Sequence, residues 1–322
     1  MNIRLSGCFQ TRAPLSHIGE TLSTITYLVT EPVLQPDGRI EEVFSYSGNA
    51  WRGQLRDLSA TYLLEHLGNA RVPLKPFHLL FSGGAIGGQQ ETNVAAARQL
   101  RQALPHLSLF GGGVGNQILG GKLRISNAYP VCREAIPVLP DEFHAPAQLV
   151  DYAGLTFEKS FSRFDDSKNV KLIPYISSAD DLLLDGPAEG KKGKKDGEVS
   201  TQMRMTAELL APGVSLYTEI DCMDVSEVEL GCLTAALHSF SRSPVIGGQG
   251  NKGHGRVSLD YRYVNLDSGE SGAFLTISAA GLPLLSEPAE RAKTAYDQHL
   301  RAQYDALLSS QQSEIRKLLE AS

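Results

Sequence analysis

No stretch of these 322 residues approaches the roughly 18 consecutive apolar side chains that a membrane-spanning helix needs, so no membrane partner is expected. The opening residues, Met1 to Ser6, run into a strand-like alternation rather than the apolar core of a signal peptide. Cysteine is scarce. Cys8, Cys132, Cys222 and Cys232 lie far apart without metal-ligand spacing, and read as reduced, buried thiols of a cytoplasmic protein. No Walker A loop is present, because the Gly-Lys-Ser/Thr ending is absent. A dinucleotide fingerprint also fails, since Gly111-Gly112-Gly113-Val114-Gly115 precedes a loop and then a strand rather than a helix. Asp165-Asp166 and Asp180-Asp181 have no histidine or third carboxylate at ligand spacing and read as solvated. No metal, cofactor or internal repeat is expected.

Positive charge is also in short supply: 36 Asp and Glu outnumber 30 Lys and Arg, for a net charge of −6. That balance argues against a nucleic-acid partner until its distribution is read. Residues 1–133 carry twelve cations against eight acids, and residues 242–262 carry Arg242, Lys252, Arg256 and Arg262 against Asp260 alone. The acid lies in 134–185 and 205–241, each at −6. A basic face on an acidic body suits a polyanion, and composition alone leaves unpatterned surface charge an equal alternative.

What the chain does have is glycine set among cations and amides. The segment Gly247-Gly248-Gln249-Gly250-Asn251-Lys252-Gly253-His254-Gly255-Arg256 is half glycine. Glycines permit positive φ and close backbone approach, exposed N–H groups form an anion nest, and Lys252 and Arg256 add full charges. Three further segments share this character. Ala13 to Gly19 contains His17 and follows the first strand. Tyr46 to Arg56 holds Asn49, Trp51, Arg52 and Arg56 at a helix start, where N–H groups and the helix dipole favour phosphate. Leu109 to Asn116, with Gly111, Gly112, Gly113 and Asn116, leads into Gly120 to Ala128, with Lys122 and Arg124. Phe81 to Gly88 is a fifth glycine-rich stretch but lacks cations. Several phosphate-compatible loops in one chain suit an extended polyanion better than a mononucleotide.

Periodicity places these loops. Ile3 to Gln10 alternates as a strand, as do Lys122 to Asn127, Val214 to Cys222, Arg256 to Asn265 and Ala273 to Ala279. Helices are expected from an Asn49 cap to Leu67, over Thr92 to Leu104 with Pro105 as its stop, and over Ser226 to Ser241. A long terminal helical pattern runs from Glu287 to Glu320. The order β-α-β, then β-α-β-β, with helices on one side of an antiparallel sheet, is α+β and most simply ferredoxin-like. Gly186 to Glu198 is too polar and lysine-rich to pack and reads as a loop tip.

Single residues have bland readings as well. His17, in an apolar stretch, is more often a packed histidine than a catalyst. Trp51 suits base stacking and core packing equally. Met203 and Met205 fit either hairpin packing or an apolar wedge between bases.

Together these segments resemble the RAMP (repeat-associated mysterious protein) superfamily of CRISPR effector subunits, and within it the backbone branch, the Cas-seven family. Pro14-Leu15-Ser16-His17-Ile18-Gly19 is similar to that family's Pro-Leu-His-Ile-Gly stretch, with one serine inserted. Ser47-Gly48-Asn49-Ala50-Trp51-Arg52-Gly53-Gln54-Leu55-Arg56 resembles its Pro-Gly-Ser-Ser-Leu-Lys-Gly-x-x-Arg turn. Leu109-Phe110-Gly111 through Ser126-Asn127-Ala128 is similar to a Leu-Phe-Gly loop followed by a strand ending Ser-Asp-Ala. Gly247-Gly248 through Gly253-His254-Gly255-Arg256 resembles the Gly-Gly…Gly-Tyr-Gly-Arg/Lys loop. The four matches fall in register.

The resemblance implies a modified ferredoxin-like (RRM-like) palm over 1–153 and 206–285. It implies an inserted β-hairpin thumb over 154–205 with its lysine-rich tip at 186–198, and a C-terminal helix over 286–322. It implies copies stacked in a helical filament along a CRISPR RNA, with palm loops on the RNA backbone, thumbs displacing bases, and other effector-complex subunits as partners. The RNA-binding residues would be His17, Asn49, Trp51, Arg52, Arg56, Gly111, Gly112, Gly113, Asn116, Lys122, Arg124, Met203, Met205, Gly248, Asn251, Lys252, His254 and Arg256. In the RNA-cleaving type III branch a catalytic aspartate precedes a Ser/x-Pro-Val segment; here Leu28-Val29-Thr30-Glu31-Pro32-Val33 offers Thr30, whose hydroxyl cannot replace a carboxylate. Glu31 points to the opposite face of the strand. No nuclease activity is therefore expected. This departure, the glycine loops and the terminal helix look most like the type IV (Csf-two) backbone subunit, which implies a target strand, expected to be DNA, and a DinG-type helicase. Two rival readings remain: a metal-dependent ribonuclease using Glu31 or Asp37, and an α+β enzyme holding a phosphorylated metabolite at Gly111–Gly115.

Overall fold

A computed structural model describes residues 1–84, 94–114, 116–144, 149–162 and 204–304. The first strands are β1 (Ile3–Thr11), β2 (Ile18–Leu22), β3 (Ile25–Leu28), β4 (Thr30–Leu34) and β5 (Ile40–Phe44). Next come β6 (Gly112–Val114), β7 (Gln117–Leu119), β8 (Leu123–Ile125), β9 (Tyr129–Pro130) and β10 (Thr156–Ser162). The last are β11 (Arg204–Leu210), β12 (Ser215–Cys222), β13 (Val257–Asn265), β14 (Ser271–Ile277) and β15 (Pro283–Leu285). The helices are α1 (Gly48–His66), α2 (Leu74–Ser82), α3 (Val94–Ala103), α4 (Pro105–Phe110), α5 (Glu227–Phe240) and α6 (Glu287–Tyr304).

The main sheet runs β15-β14-β13-β1-β12-β8, with β9 also on β12. Every pairing in it is antiparallel. β1 is central because Ile3, Leu5 and Phe9 alternate inward, which lets both of its edges be paired. Chain order gives β1-α1-β8 and then β12-α5-β13, so a helix follows the first strand of each half. The fold is thus mixed α and β with antiparallel sheets, as the α+β reading expects.

Trp51 joins the layers. Its ring meets Phe9 of β1 edge-on at 5.2 Å and Phe240 of α5 at 4.9 Å. α5 is buried over most of its length, from Leu230 to Phe240, and packs against both α1 and α6. A full capping box starts it: Ser226 Oγ accepts from the Glu229 amide at 3.2 Å, and Glu229 Oε2 accepts from the Ser226 amide at 2.8 Å.

A second sheet, β10-β11-β3-β2, stands beside the first. β10 and β11 pair antiparallel from Thr156↔Leu210 to Ser162↔Arg204. β4 and β5 form a two-stranded ribbon.

Several boundaries differ from the sequence reading. Ser47, not Asn49, caps α1, its hydroxyl accepting from the Asn49 amide at 3.2 Å. Pro105 starts α4 instead of ending a region of helix, because the first helical position needs no N–H donor. The expected strand Lys122 to Asn127 narrows to Leu123–Ile125. α2 and β2 to β5 have no counterpart in the periodicity. The lysine-rich stretch 186–198, Met203 and residues beyond 304 lie outside the described residues.

Candidate nucleic-acid interface

Four segments that are distant in sequence converge where β1 ends and β13 begins. The Arg12 amide donates to the Arg256 carbonyl at 2.7 Å, that of Gly255 to Pro14 at 2.8 Å, and that of Gly248 to Ser16 at 2.6 Å. His17 Nε2 accepts from the Ser47 amide at 3.3 Å, and its ring meets Tyr46 at 5.0 Å. The Gly48 amide donates to Asn127 Oδ1 at 2.9 Å, and Tyr46 and Ala128 exchange backbone bonds. Residues 12–18, 45–49, 126–128 and 245–256 therefore form one surface.

The loop over 245–256 needs its glycines. Gly255 has φ +79°, and a Cβ there would sit 2.0 Å from the Ile246 carbonyl oxygen. Gln249 takes φ +60° with a side chain, so it bears the strain of that turn. Gly250–Lys252 form one turn of 3-10 helix, whose first amides have no partner within the turn. Lys252 Nζ lies 4.4 Å from the centre of the Phe161 ring on β10, tying the loop to the second sheet. Gly248 is half-buried, whereas Asn251 and Lys252 are exposed.

The cations divide into two groups. Arg12, Arg124, Lys252 and Arg256 are exposed, and none has an ion-pair partner among the described residues. Arg52 and Arg56 instead both donate to the Phe110 carbonyl, and Arg56 Nη2 also reaches the Gly111 carbonyl at 3.0 Å. Burial, with the charge of Arg52 added, pushes the Arg56 pKa down. Lys122 Nζ contacts Glu229 Oε2 at 2.8 Å and the Asp224 carbonyl at 2.6 Å. Burial works to raise the Glu229 pKa, but hydrogen bonds led by Lys122 outweigh it and hold the carboxyl below its ordinary value. Arg52, Arg56 and Lys122 thus brace the helix layer, a structural role that the sequence reading did not assign to them.

Several expectations are corrected. Trp51 is 1 % exposed and donates to the Tyr261 hydroxyl at 3.2 Å, so it is core and offers no stacking face. The Gly111 amide donates to Leu107 at 2.9 Å and the Gly113 amide to Gly83 at 2.7 Å, while Gly112 lies in the β6–β7 ladder. These amides serve internal packing, so Gly111–Gly113 form no anion nest; Asn116 is exposed at the β6–β7 turn. His254 is 6 % exposed, and burial, reinforced by Lys159 and Lys252, pushes its pKa down. His17 is half-buried, and burial lowers its pKa likewise.

Met205 is half-buried on β11, its Cα paired with that of Phe161, and Asn49 is exposed in the first turn of α1. Thr30 is exposed on β4 and Glu31 alternates to the other face with Val33. Asp37 is engaged by Arg39 at 2.8 Å. No group of three His, Cys, Asp or Glu side chains among the described residues could hold a metal. No described helix is long and apolar enough to cross a membrane.

Sequence reasoning missed Arg12, Gln249 and Phe161. Arg12 had a signal, since it stands two residues before the Pro14 stretch. Nothing local marks Gln249 or Phe161, whose placement depends on which strand lies beside the loop.

No family model matches this chain, and no curated protein sequence matches it. Among solved structures, the chain is similar to one described as "Type IV-B CRISPR Complex", with 19% identity and a TM-score of 0.55. The likeness covers 81% of this chain and 90% of that one, so the two share a fold.

Proposed function

We propose that this chain is a guide-RNA-binding backbone subunit of a type IV CRISPR ribonucleoprotein, of the Cas-seven branch of the RAMP superfamily, without nuclease activity of its own. The convergence of four glycine-rich or basic segments on one edge, with Arg12, Lys252 and Arg256 exposed there, carries this reading. The fold shared with a chain of a type IV-B complex supports it. The order β13-β1-β12-β8, with helices after β1 and β12, supports reading this part as a ferredoxin-like palm. The β10–β11 pair would, in this reading, belong to the thumb over 154–205. In this reading copies stack along a CRISPR RNA beside other effector subunits, and the guide pairs with a target strand that we take to be DNA. A DinG-type helicase is the expected motor. Base pairing reads sequence, while the protein follows phosphates and shape.

Phosphate contacts leave a salt signature. Replacing Arg12, Lys252 and Arg256 with alanine is expected to reduce the slope of log affinity against log salt by about 2, at roughly 0.7 per phosphate on single strands. Arg52→Ala and Lys122→Ala should lower the melting temperature and leave that slope alone. RNA-binding titrations from 50 to 300 mM salt measure it; an unchanged slope in the triple variant would remove the interface assignment.

Thr30 offers no carboxylate, Glu31 faces away from it, and Asp37 is held by Arg39. RNA complementary to the guide, incubated with the assembled complex and a divalent cation, is expected to stay intact. Cleavage at regular intervals would instead support the ribonuclease reading.

A further inference from the structure

A cleft of about 480 Å³ opens among α3, α4, the start of α5 and α6, a volume within the roughly 300–1,000 Å³ usual for small-molecule sites. It lies at the far end of β8 from the cationic edge. Lys122, which precedes that strand, lines the cleft, whereas residues 126–128, which follow it, belong to the edge. Three cations line it, Arg98, Arg101 and Lys122, against two carboxylates, Asp224 and Glu229. Glu229 is already matched, because Lys122 Nζ contacts it at 2.8 Å. Neither arginine has an ion-pair partner among the described residues.

We propose that this cleft binds an organic phosphate monoester, held by Arg98 and Arg101. The inference does not depend on the guide-RNA reading, since it concerns a different part of the surface. The two arginines stand three residues apart on α3 and so share one helix face. Hydrogen-bond donors are in excess there. A guanidinium carries five N–H groups and an ammonium three. Arg101 Nη2 donates to the Gly120 carbonyl, and Lys122 Nζ donates to the Asp224 carbonyl and to Glu229, which leaves N–H groups of both side chains for a ligand.

Phosphate oxygens only accept, and a monoester carries close to two negative charges at neutral pH, enough to match both arginines. Asp224 is exposed, where water weakens its repulsion of an anion. Pro105 and Val228 also line the cleft and provide an apolar wall. An inorganic ion would leave that wall uncovered, whereas the carbon framework of an ester covers it. A free nucleotide and the phosphorylated end of a strand share this chemistry.

Isothermal titration calorimetry of the full-length protein with adenosine 5′-monophosphate (AMP), inorganic phosphate and adenosine tests the proposal. AMP should bind, inorganic phosphate should bind more weakly, and adenosine should give no heat. Arg98→Gln and Arg101→Gln should each weaken AMP about tenfold or more, as loss of a charge-assisted hydrogen bond does. Arg98 is exposed, so Arg98→Gln should keep the wild-type melting temperature even if Arg101→Gln does not. The triple alanine variant at Arg12, Lys252 and Arg256 should bind AMP as the wild type does. No heat with millimolar AMP, unchanged affinity in folded Arg98→Gln, or loss of binding in the triple variant would each overturn the proposal. Competition with AMP then identifies the source of the phosphate. Displacement by a 5′-phosphorylated oligonucleotide but not by its 5′-hydroxyl twin assigns the cleft to a strand end, and displacement by neither assigns it to a free nucleotide. Equal displacement by both would place AMP on a polynucleotide surface and overturn the cleft. Failure here leaves the salt-slope test of the edge untouched, and failure of that test leaves the cleft untouched.

Discussion

Trp51→Ala is expected to destabilise the protein by about 3–5 kcal/mol, in the range for emptying a core aromatic site. The ring is 1 % exposed and is the point at which β1, α1 and α5 meet. Its removal leaves a cavity against Phe9 and Phe240 and deprives the buried Tyr261 hydroxyl of its indole donor. A domain stable by about 5–15 kcal/mol loses a large share of that margin. A stacking platform would behave in the opposite way, with normal stability and RNA affinity lowered by about 1–3 kcal/mol per base. Urea unfolding followed by circular dichroism separates the two outcomes. Fluorescence would not serve, since Trp51 is the one tryptophan in the sequence. A variant with wild-type midpoint and weakened RNA binding would reverse the assignment of Trp51 to the core.

Acid is expected to destabilise the fold well before its carboxylates titrate. His106 is 1 % exposed, with Nδ1 at 2.9 Å from Ser59 Oγ and Nε2 at 2.9 Å from the Leu80 carbonyl oxygen. Burial pushes its pKa down to about 4. Above about pH 6.5 both folded and unfolded rings are neutral and nothing is lost. As pH falls below that, the unfolded chain takes up a proton that the folded ring refuses, and the penalty grows until the folded ring protonates near 4. The slope approaches about 1.4 kcal/mol per pH unit, so the whole window amounts to roughly 3 kcal/mol. His17, His238 and His254 are lowered in the same direction and add to it. Urea midpoints at pH 7, 6 and 5 should fall steadily, and His106→Gln should flatten the decline. Midpoints that hold constant from pH 7 to 5 would contradict a neutral, buried His106.

The parts of the fold legible in the sequence are those whose pattern is local. β1, α1, α5, β13 and β14 each repeat apolar residues at a period set by their own backbone, so each can be placed to within a few residues. The strands β2 to β5 escape because each is only four or five residues long, and β2 and β4 are also largely exposed, which leaves little apolar alternation to read. The order of the motif segments is legible as well, but not which of their side chains face outward. Arg52 and Arg56 share a helix face, and spacing cannot say that the carbonyl of Phe110 lies opposite that face. Lys122 looks like a strand cation; Glu229, more than a hundred residues later, is what claims it. Glycines at 111–113 and 247–255 look alike as text. Several amides in each find acceptors inside the protein, and what separates the two runs is the pair of exposed cations, Lys252 and Arg256, that accompanies the second.

The pairing of Ser162 with Arg204 at the end of the β10–β11 ladder has a consequence for how this protein can diverge. Chain leaving the described body at Ser162 re-enters it beside that residue at Arg204, so the two ends of the intervening segment are held close together. The entropy of closing such a loop rises only with the logarithm of its length, about 0.6 kcal/mol for each doubling. Insertions and deletions there barely tax the main sheet, since β1, β12 and β13 keep their registers regardless. Evolution can thus lengthen, shorten or recharge that cassette while the cationic edge formed by Arg12, Lys252 and Arg256 stays fixed.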